Sequence, residues 1–404
     1  MKAKFLALTL VLLLLAGCAA QEQSPVDPAP QPENTEQAAP DLPEEPPQPE
    51  GEMEPEPEPD PRTEAIEAVL SRMTLEEKVG QLFFVRCPAA GAAGKAEQYH
   101  LGGYLLFGRD FKDSAGNWLT QEQFTAAVAA YQEAASIPLL IGVDEEGGTV
   151  ARASRNPNLF PAKRKSPQAV YAQGGMDAVV QDTLAVNGTL LLYGINVNFA
   201  PVADVSTTPG DFIYDRAFGQ DAAATAEYIR SAVTAMNTAG IGSVLKHFPG
   251  YGSNVDTHTG IAVDERPYDQ FTAEDFLPFS AGIEAGAGAV LVSHNIVTCM
   301  DDTLPASLSP QVHRVLREEL GFTGVILTDD LAMDAVEAYA EDGSVAVLAV
   351  LAGNDMIVTT DFEIQIPQVI AAVEDGTIDE SAVDEAVVRI LGWKYDLGLL
   401  EAVD

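Results

Sequence analysis

The residues best equipped for chemistry lie in one segment, Lys246-His247-Phe248-Pro249-Gly250-Tyr251-Gly252, followed closely by Asp256-Thr257-His258. It gathers a cation, two imidazoles and a carboxylate into 13 residues and holds two of the five histidines in the chain. Val244-Leu245 reads as the end of an apolar strand, with Lys246 and His247 at its tip. Pro249, Gly250 and Gly252 then force the backbone out of regular structure, so Asp256 and His258 fall on a loop. A carboxylate two residues from an imidazole can orient the ring and raise its pKa, which suits general acid–base work.

Such groups need a frame to hold them. From residue 62 the chain alternates helix-like and strand-like segments. Eight apolar runs are visible, at 81–86, 103–107, 139–143, 197–205, 243–247, 289–294, 325–329 and 355–359. Stretches of helical period lie among them, at 65–78, 176–193, 222–239 and 310–320. Strands that alternate with helices imply a parallel sheet, and eight of them close a TIM-type (β/α)8 barrel, an α/β fold. Polar residues cluster where the runs end: Asp144, Asp204, Lys246-His247, Ser293-His294-Asn295 and Thr328-Asp329-Asp330. Barrel active sites occupy that rim and draw residues from several strands. Asp329 stands where a rim nucleophile would stand, and paired carboxyl groups are the usual machinery for glycoside hydrolysis.

Other chemistries lack their signatures. There is no Gly-x-Ser-x-Gly elbow, no phosphate-binding Gly-x4-Gly-Lys-Ser/Thr loop, no HExxH and no clustered Cys/His set. Neither a metal nor a cofactor is therefore expected. Cys87 and Cys299 lie in or beside apolar runs and read as buried free thiols.

The N-terminal region reads differently. Lys2 and Lys4 precede an apolar stretch at 5–15, too short for an ordinary spanning helix. Leu15-Ala16-Gly17-Cys18 resembles a bacterial lipoprotein signal, which implies a signal peptide at 1–17 and lipidation at Cys18. Residues 18–61 read as a Pro/Glu-rich disordered linker, with 13 prolines and 13 acidic residues and no Lys or Arg. The expected location is extracytoplasmic, lipid-anchored to the cell membrane. The whole chain has a net charge of −39, and residues 1–61 supply two lysines and 13 acids, so the barrel domain, 62–404, carries −28. That charge argues against nucleic acid as a partner and leaves the lipid anchor as the sole route to the membrane. A monomer is expected.

Residues 64–400 resemble glycoside hydrolase family 3, in its β-N-acetylhexosaminidase branch. The matching blocks are Val143-Asp144-Glu145-Glu146-Gly147-Gly148, Asn198-Phe199-Ala200-Pro201-Val202-Ala203-Asp204-Val205 and Asp215-Arg216-Ala217-Phe218-Gly219. Lys246-His247-Phe248-Pro249-Gly250, Asp256-Thr257-His258 and Gly321 through Met333 complete them, in the family's order. The resemblance implies a retaining mechanism, with Asp329 as nucleophile, His258 as acid/base and Asp256 fixing its tautomer. It also implies that Asp144, Arg216, Lys246 and His247 bind hydroxyls of a terminal N-acetylglucosamine; Met333 is open between a substrate-binding place on the pocket wall and a packing role. Asp330 is a rival nucleophile, but neighbours on a strand point to opposite faces, so one of the two should face the site. His294 is open between a pocket wall and a satisfied core histidine. The sequence departs from the family at Tyr251, usually His or Leu, and at Thr149, often Arg.

Few residues follow Trp393, so no second α/β domain of the kind that supplies the acid/base in β-glucosidase relatives is expected. The resemblance thus implies an exo-acting hydrolase of N-acetylglucosaminides, with peptidoglycan fragments or related sugars as the carbohydrate partner. Two readings stay open: phosphorolysis, because a histidine repels incoming phosphate less than a carboxylate does, and an inactive sugar-binding lipoprotein on the same fold.

Overall fold

A computed structural model describes residues 60–254, 262–333 and 344–401, together with Val336 and Tyr339. The signal segment, Cys18, nearly all of the linker, Asp256 and His258 lie outside the described residues.

All eight apolar runs form parallel strands: β1 (Phe83–Arg86), β2 (Gly103–Leu106), β3 (Leu140–Val143), β4 (Val197–Asn198), β5 (Gly242–Phe248), β6 (Ala289–Val292), β7 (Val325–Thr328) and β8 (Ile357–Thr359). Each strand pairs with its neighbour in sequence, and β1 also pairs with β8. Leu327 bridges to Met356 and the Thr328 N–H donates to the Met356 carbonyl at 3.1 Å, which closes the ring between β7 and β8. The fold is the expected (β/α)8 barrel. β4 is shorter than the apolar run 197–205, because Pro201 has no N–H to give a ladder. The chain stays beside β5 all the same, through a Val202–Lys246 bridge.

Side chains fill the barrel. Phe84 and Phe199 meet edge to face at 5.1 Å, and Gly142 leaves the room they need, since a Cβ there would lie 2.6 Å from the Phe199 ring. At the opposite end from the strand tips, the C-terminal helix Glu380–Asp396 covers the strand beginnings. Its Trp393 packs so closely on Gly242 and Gly288 that a side chain at either position would strike the indole. Buried Lys394, the next residue, donates to Gln81 Oε1 at 2.6 Å.

Helices 222–239 and 310–320 appear where periodicity predicts them. The 65–78 helix does not. It is two helices, Pro61–Leu70 and Leu75–Gln81. Thr74 caps the second, accepting from the Glu77 N–H while Glu77 accepts from the Thr74 N–H. That capping box ends the apparent continuity. The helix expected over 176–193 begins earlier, at Pro167, and is broken at Gly174 and Gly175. Both thiols are unpaired, and Cys87 is buried as expected, but Cys299 is exposed because it lies in the turn after the short strand Ile296–Val297.

Candidate active site

Three consecutive acids after β3 do three different jobs. Asp144 accepts from Lys246 Nζ at 2.6 Å. Glu145 turns the other way and is fully buried, where it accepts from the Arg152 and Ser154 N–H groups at 2.9 and 3.1 Å. Glu146 points back with Asp144 and accepts from both Lys246 and Arg216. Gly147 and Gly148 follow with φ of 95° and 60°, and a Cβ on Gly147 would lie 2.1 Å from the Lys165 carbonyl oxygen. Only glycine makes this turn, which brings Val150–Ala151 back against Glu145–Gly147 and returns Arg152 to the rim.

Lys246 is almost fully buried, yet its ammonium has two carboxylates, Asp144 Oδ1 at 2.6 Å and Glu146 Oε1 at 2.7 Å. Burial works against the charge, but these carboxylates win and push its pKa up. Burial likewise opposes ionisation of Glu146, and Arg216 and Lys246 overcome it, holding this carboxyl well below the usual range. Arg216 grips Glu146 in bidentate fashion, Nε to Oε2 at 3.0 Å and Nη2 to Oε1 at 2.8 Å.

The same Nη2 lies 3.0 Å from His247 Nε2, while His247 Nδ1 lies 2.7 Å from Asp204 Oδ2. A carboxylate accepts and a guanidinium donates, so the ring is held as the neutral Nδ1–H tautomer. Asp204 also accepts from the His247 and Tyr251 N–H groups, at 3.1 and 2.8 Å. One carboxylate thus fixes the backbone and the ring of His247 at once.

Asp329 follows β7. Its N–H donates to the Val292 carbonyl at 2.9 Å, and its Oδ1 accepts from the Asp330 N–H at 2.8 Å. His294, wholly buried, supports this turn from behind: Nε2–H donates to the Asp330 carbonyl at 3.0 Å and Nδ1 meets Ser307 Oγ at 2.7 Å. A cavity of about 470 Å³ opens at the strand tips. Asp144, Arg216, Lys246 and His247 line it on one side, and Asp329, Asp330 and Met333 also line it.

This constellation can be compared with known proteins. Residues 74–392 match the family described as "Glycosyl hydrolase family 3 N terminal domain". The β-hexosaminidase of Xanthomonas campestris pv. campestris strain B100 is 33% identical over 296 residues, covering 72% of this chain and 86% of its own. The chain belongs to glycoside hydrolase family 3. Among solved structures, the family 3 β-N-acetylglucosaminidase of Paenibacillus sp. str. FPU-7 superimposes with a TM-score of 0.74 at 31% identity. That match covers 81% of this chain and 63% of the Paenibacillus chain, which is the longer. The β-N-acetylhexosaminidase of Beutenbergia cavernae DSM 12333 gives 0.68 at 29% identity, over 79% and 98%. This family 3 member is a glycoside hydrolase with its kin in the hexosaminidase branch.

Of the site residues expected in this glycoside hydrolase, Asp144, Arg216, Lys246, His247, Asp329 and Met333 line one cavity. Asp256 and His258 lie outside the described residues, but Arg266 ties the flanks of that segment together, donating to the Gly250 carbonyl at 3.2 Å and pairing with Asp264 at 2.8 Å. Contrary to expectation, Asp329 and Asp330 do not face apart, since both line the cavity. β7 ends at Thr328, so strand alternation no longer governs them. Asp330 lies 3.7 Å from Arg86, and burial pushes its carboxyl up. His294 is a satisfied core histidine.

Glu146 and Asp204 organise the site without being among the expected site residues, although Glu146 sits inside a matching motif and Asp204 at a strand end. Arg86, Phe107 and Arg152 also line the cavity. Arg86 and Phe107 end apolar runs, so the strand-tip rule applies to them as it does to the acids. Among the described residues no cluster suited to a metal ion and no helix long and apolar enough to cross a membrane occurs.

Proposed function

We propose that this chain is a retaining exo-β-N-acetylglucosaminidase, a β-N-acetylhexosaminidase that removes terminal N-acetylglucosamine from peptidoglycan fragments or related glycosides. One observation supports it above the rest: Asp329 shares a single cavity with the paired Asp144, Lys246, Arg216 and His247. Their polar atoms suit the hydroxyls of one terminal sugar, and Asp329 would attack its anomeric carbon from within the same space. In the first step the Asp329 carboxylate bonds to that carbon as the glycosidic C–O bond breaks. His258, oriented by Asp256, gives its proton to the departing oxygen. In the second step water attacks the same carbon, His258 takes a proton from it, and Asp329 leaves as a carboxylate. Two displacements retain configuration.

The roles of His258 and Asp256 come from the family motif. Cys18 would anchor the enzyme outside the cytoplasm, with the acidic linker as a spacer. Time-resolved proton NMR of the released sugar tests the chemistry. β-N-acetylglucosamine as the first product, formed at a rate indifferent to inorganic phosphate, is expected. The α-anomer appearing first would overturn retention, and a sugar phosphate would replace hydrolysis by phosphorolysis.

A further inference from the structure

Asp256 and His258 are flanked by Gly250–Asn254 on one side and Ala262–Arg266 on the other, and one side chain touches both flanks. Arg266 Nη2 donates to the Gly250 carbonyl at 3.2 Å on the outgoing side and to Asp264 Oδ2 at 2.8 Å on the returning side. Its Nε donates to the same Asp264 oxygen at 3.0 Å and its Nη1 to Asp275 Oδ2 at 2.8 Å. The guanidinium carbon also lies 4.2 Å from the ring centroid of buried Phe271.

The fit on the outgoing side is tight. Gly250 has a φ of 126°, and a Cβ there would lie 2.3 Å from Asp275 Oδ1. Gly252 has a φ of 54°, and a Cβ there would lie 2.6 Å from the Arg266 guanidinium carbon. Glycine at both positions lets the backbone lie directly on the ion pair. The returning side is fixed to the barrel, since Val263–Asp264 pairs in parallel with Ile296–Val297, just after β6. Asp264 and Asp275 are almost wholly buried, and Asp275 Oδ1 has no hydrogen-bond donor among the described residues. Burying two carboxylates and a cation with one oxygen left over is a poor source of stability. What such a cluster supplies is direction, because a guanidinium fork fixes the angle of each partner.

We propose that Arg266 is a positioning residue for acid catalysis: it locks Gly250 to Asp264, with Asp275 and Phe271 as its base, and thereby sets the reach of His258 toward the glycosidic oxygen. The inference rests on the acid/base role proposed above for His258. Arg266 does not line the catalytic cavity, so it acts through His258 and not on the substrate.

Leaving groups separate this role from general support of the fold. A 3,4-dinitrophenolate departs without a proton whereas a phenolate needs one, so the phenyl glycoside depends on His258 and the dinitrophenyl glycoside scarcely does. The ratio of their kcat/KM values, taken on one preparation, cancels the folded fraction. Arg266→Met should lower kcat/KM for phenyl β-N-acetylglucosaminide by about 10²-fold and for the 3,4-dinitrophenyl glycoside by only about threefold. Arg266→Lys keeps the charge without the fork and should fall between. Asp275→Asn keeps an acceptor for Nη1 and should shift the ratio least.

Azide gives a second readout. It carries no proton to be removed, and it displaces Asp329 from the anomeric carbon by forming a C–N bond as the ester C–O bond breaks. Azide should therefore raise kcat for the dinitrophenyl glycoside in Arg266→Met and leave the parent unchanged. His258→Ala is the reference for both readouts. A ratio unmoved in the Arg266 variants and no response to azide, with His258→Ala selective and rescued, would overturn the positioning role and leave the hexosaminidase reading standing. A His258→Ala protein that loses both glycosides alike would overturn the acid/base assignment, and the positioning role with it.

Discussion

Two buried lysines, one at each end of the barrel, show how partners rather than burial decide what a side chain is for. Lys246 at the strand tips has carboxylates at 2.6 and 2.7 Å, and its pKa is pushed up. Lys394 beneath the strand beginnings has one amide oxygen at 2.6 Å, and burial brings its pKa down to about 7. The residue type and the loss of water are the same. The rim supplies anions that retain the charge where a polar substrate would be held, whereas among the described residues the floor supplies the Gln81 amide and no anion, so charge there is a liability.

The largest effect should come from breaking the rim. Lys246→Met leaves Asp144 and Glu146 without the cation they share and should lower kcat/KM by about 10³-fold or more. Steady-state kinetics beside a thermal melt separates this from unfolding. Glu146→Gln keeps the shape but takes from Lys246 one of its two carboxylates and from Arg216 its bidentate carboxylate. A loss of about 10²-fold is expected, with His247 less firmly held; unchanged activity would mean that the buried network is not needed to present Arg216.

The floor should behave in the opposite sense. Because the folded pKa of Lys394 is about 7 against an ordinary 10.5, the unfolded chain binds the extra proton between those values. The penalty is therefore complete below about pH 7 and fades as pH rises toward 10.5. Lys394→Met should stabilise the protein at neutral pH by a few kcal/mol, on the order set by such a shift, and flatten the rise of stability above pH 7. Denaturant unfolding at pH 6.5 and 9.5 checks both, and a parent-like pH slope in the variant would contradict it. Smallest of all, Gln81→Leu removes the acceptor of Lys394 and should cost roughly 1–3 kcal/mol, with activity intact.

Much of this was legible in the sequence. Strands whose ends carry Asp144, Asp204, Lys246, His247 and Asp329 could be read because a parallel barrel buries both faces of each strand and exposes only its tip. The break at Thr74 hides in the sequence although Thr74-x-x-Glu77 spells a capping box, since helical period runs through it. Strand alternation would send Asp329 and Asp330 to opposite faces, but it lapses after the last paired residue, Thr328. Glu145, Glu146 and Arg152 could not be sorted from sequence: three neighbouring acids look alike until a glycine turn sends one under the ribbon and another onto Arg216. The contrast between Lys246 and Lys394 is invisible there too, because it depends on partners 102 and 313 residues away.

We propose that Asp329 acts as nucleophile on an N-acetylglucosaminide held by the Lys246 network. Initial rates on p-nitrophenyl β-N-acetylglucosaminide and on the corresponding β-glucoside, for the parent protein and Asp329→Ala, test it most directly. Turnover of the acetamido sugar, little of the glucoside, and a loss of about 10³-fold or more on substitution are expected. Preference for the glucoside, or an Asp329→Ala protein as active as the parent, would contradict it.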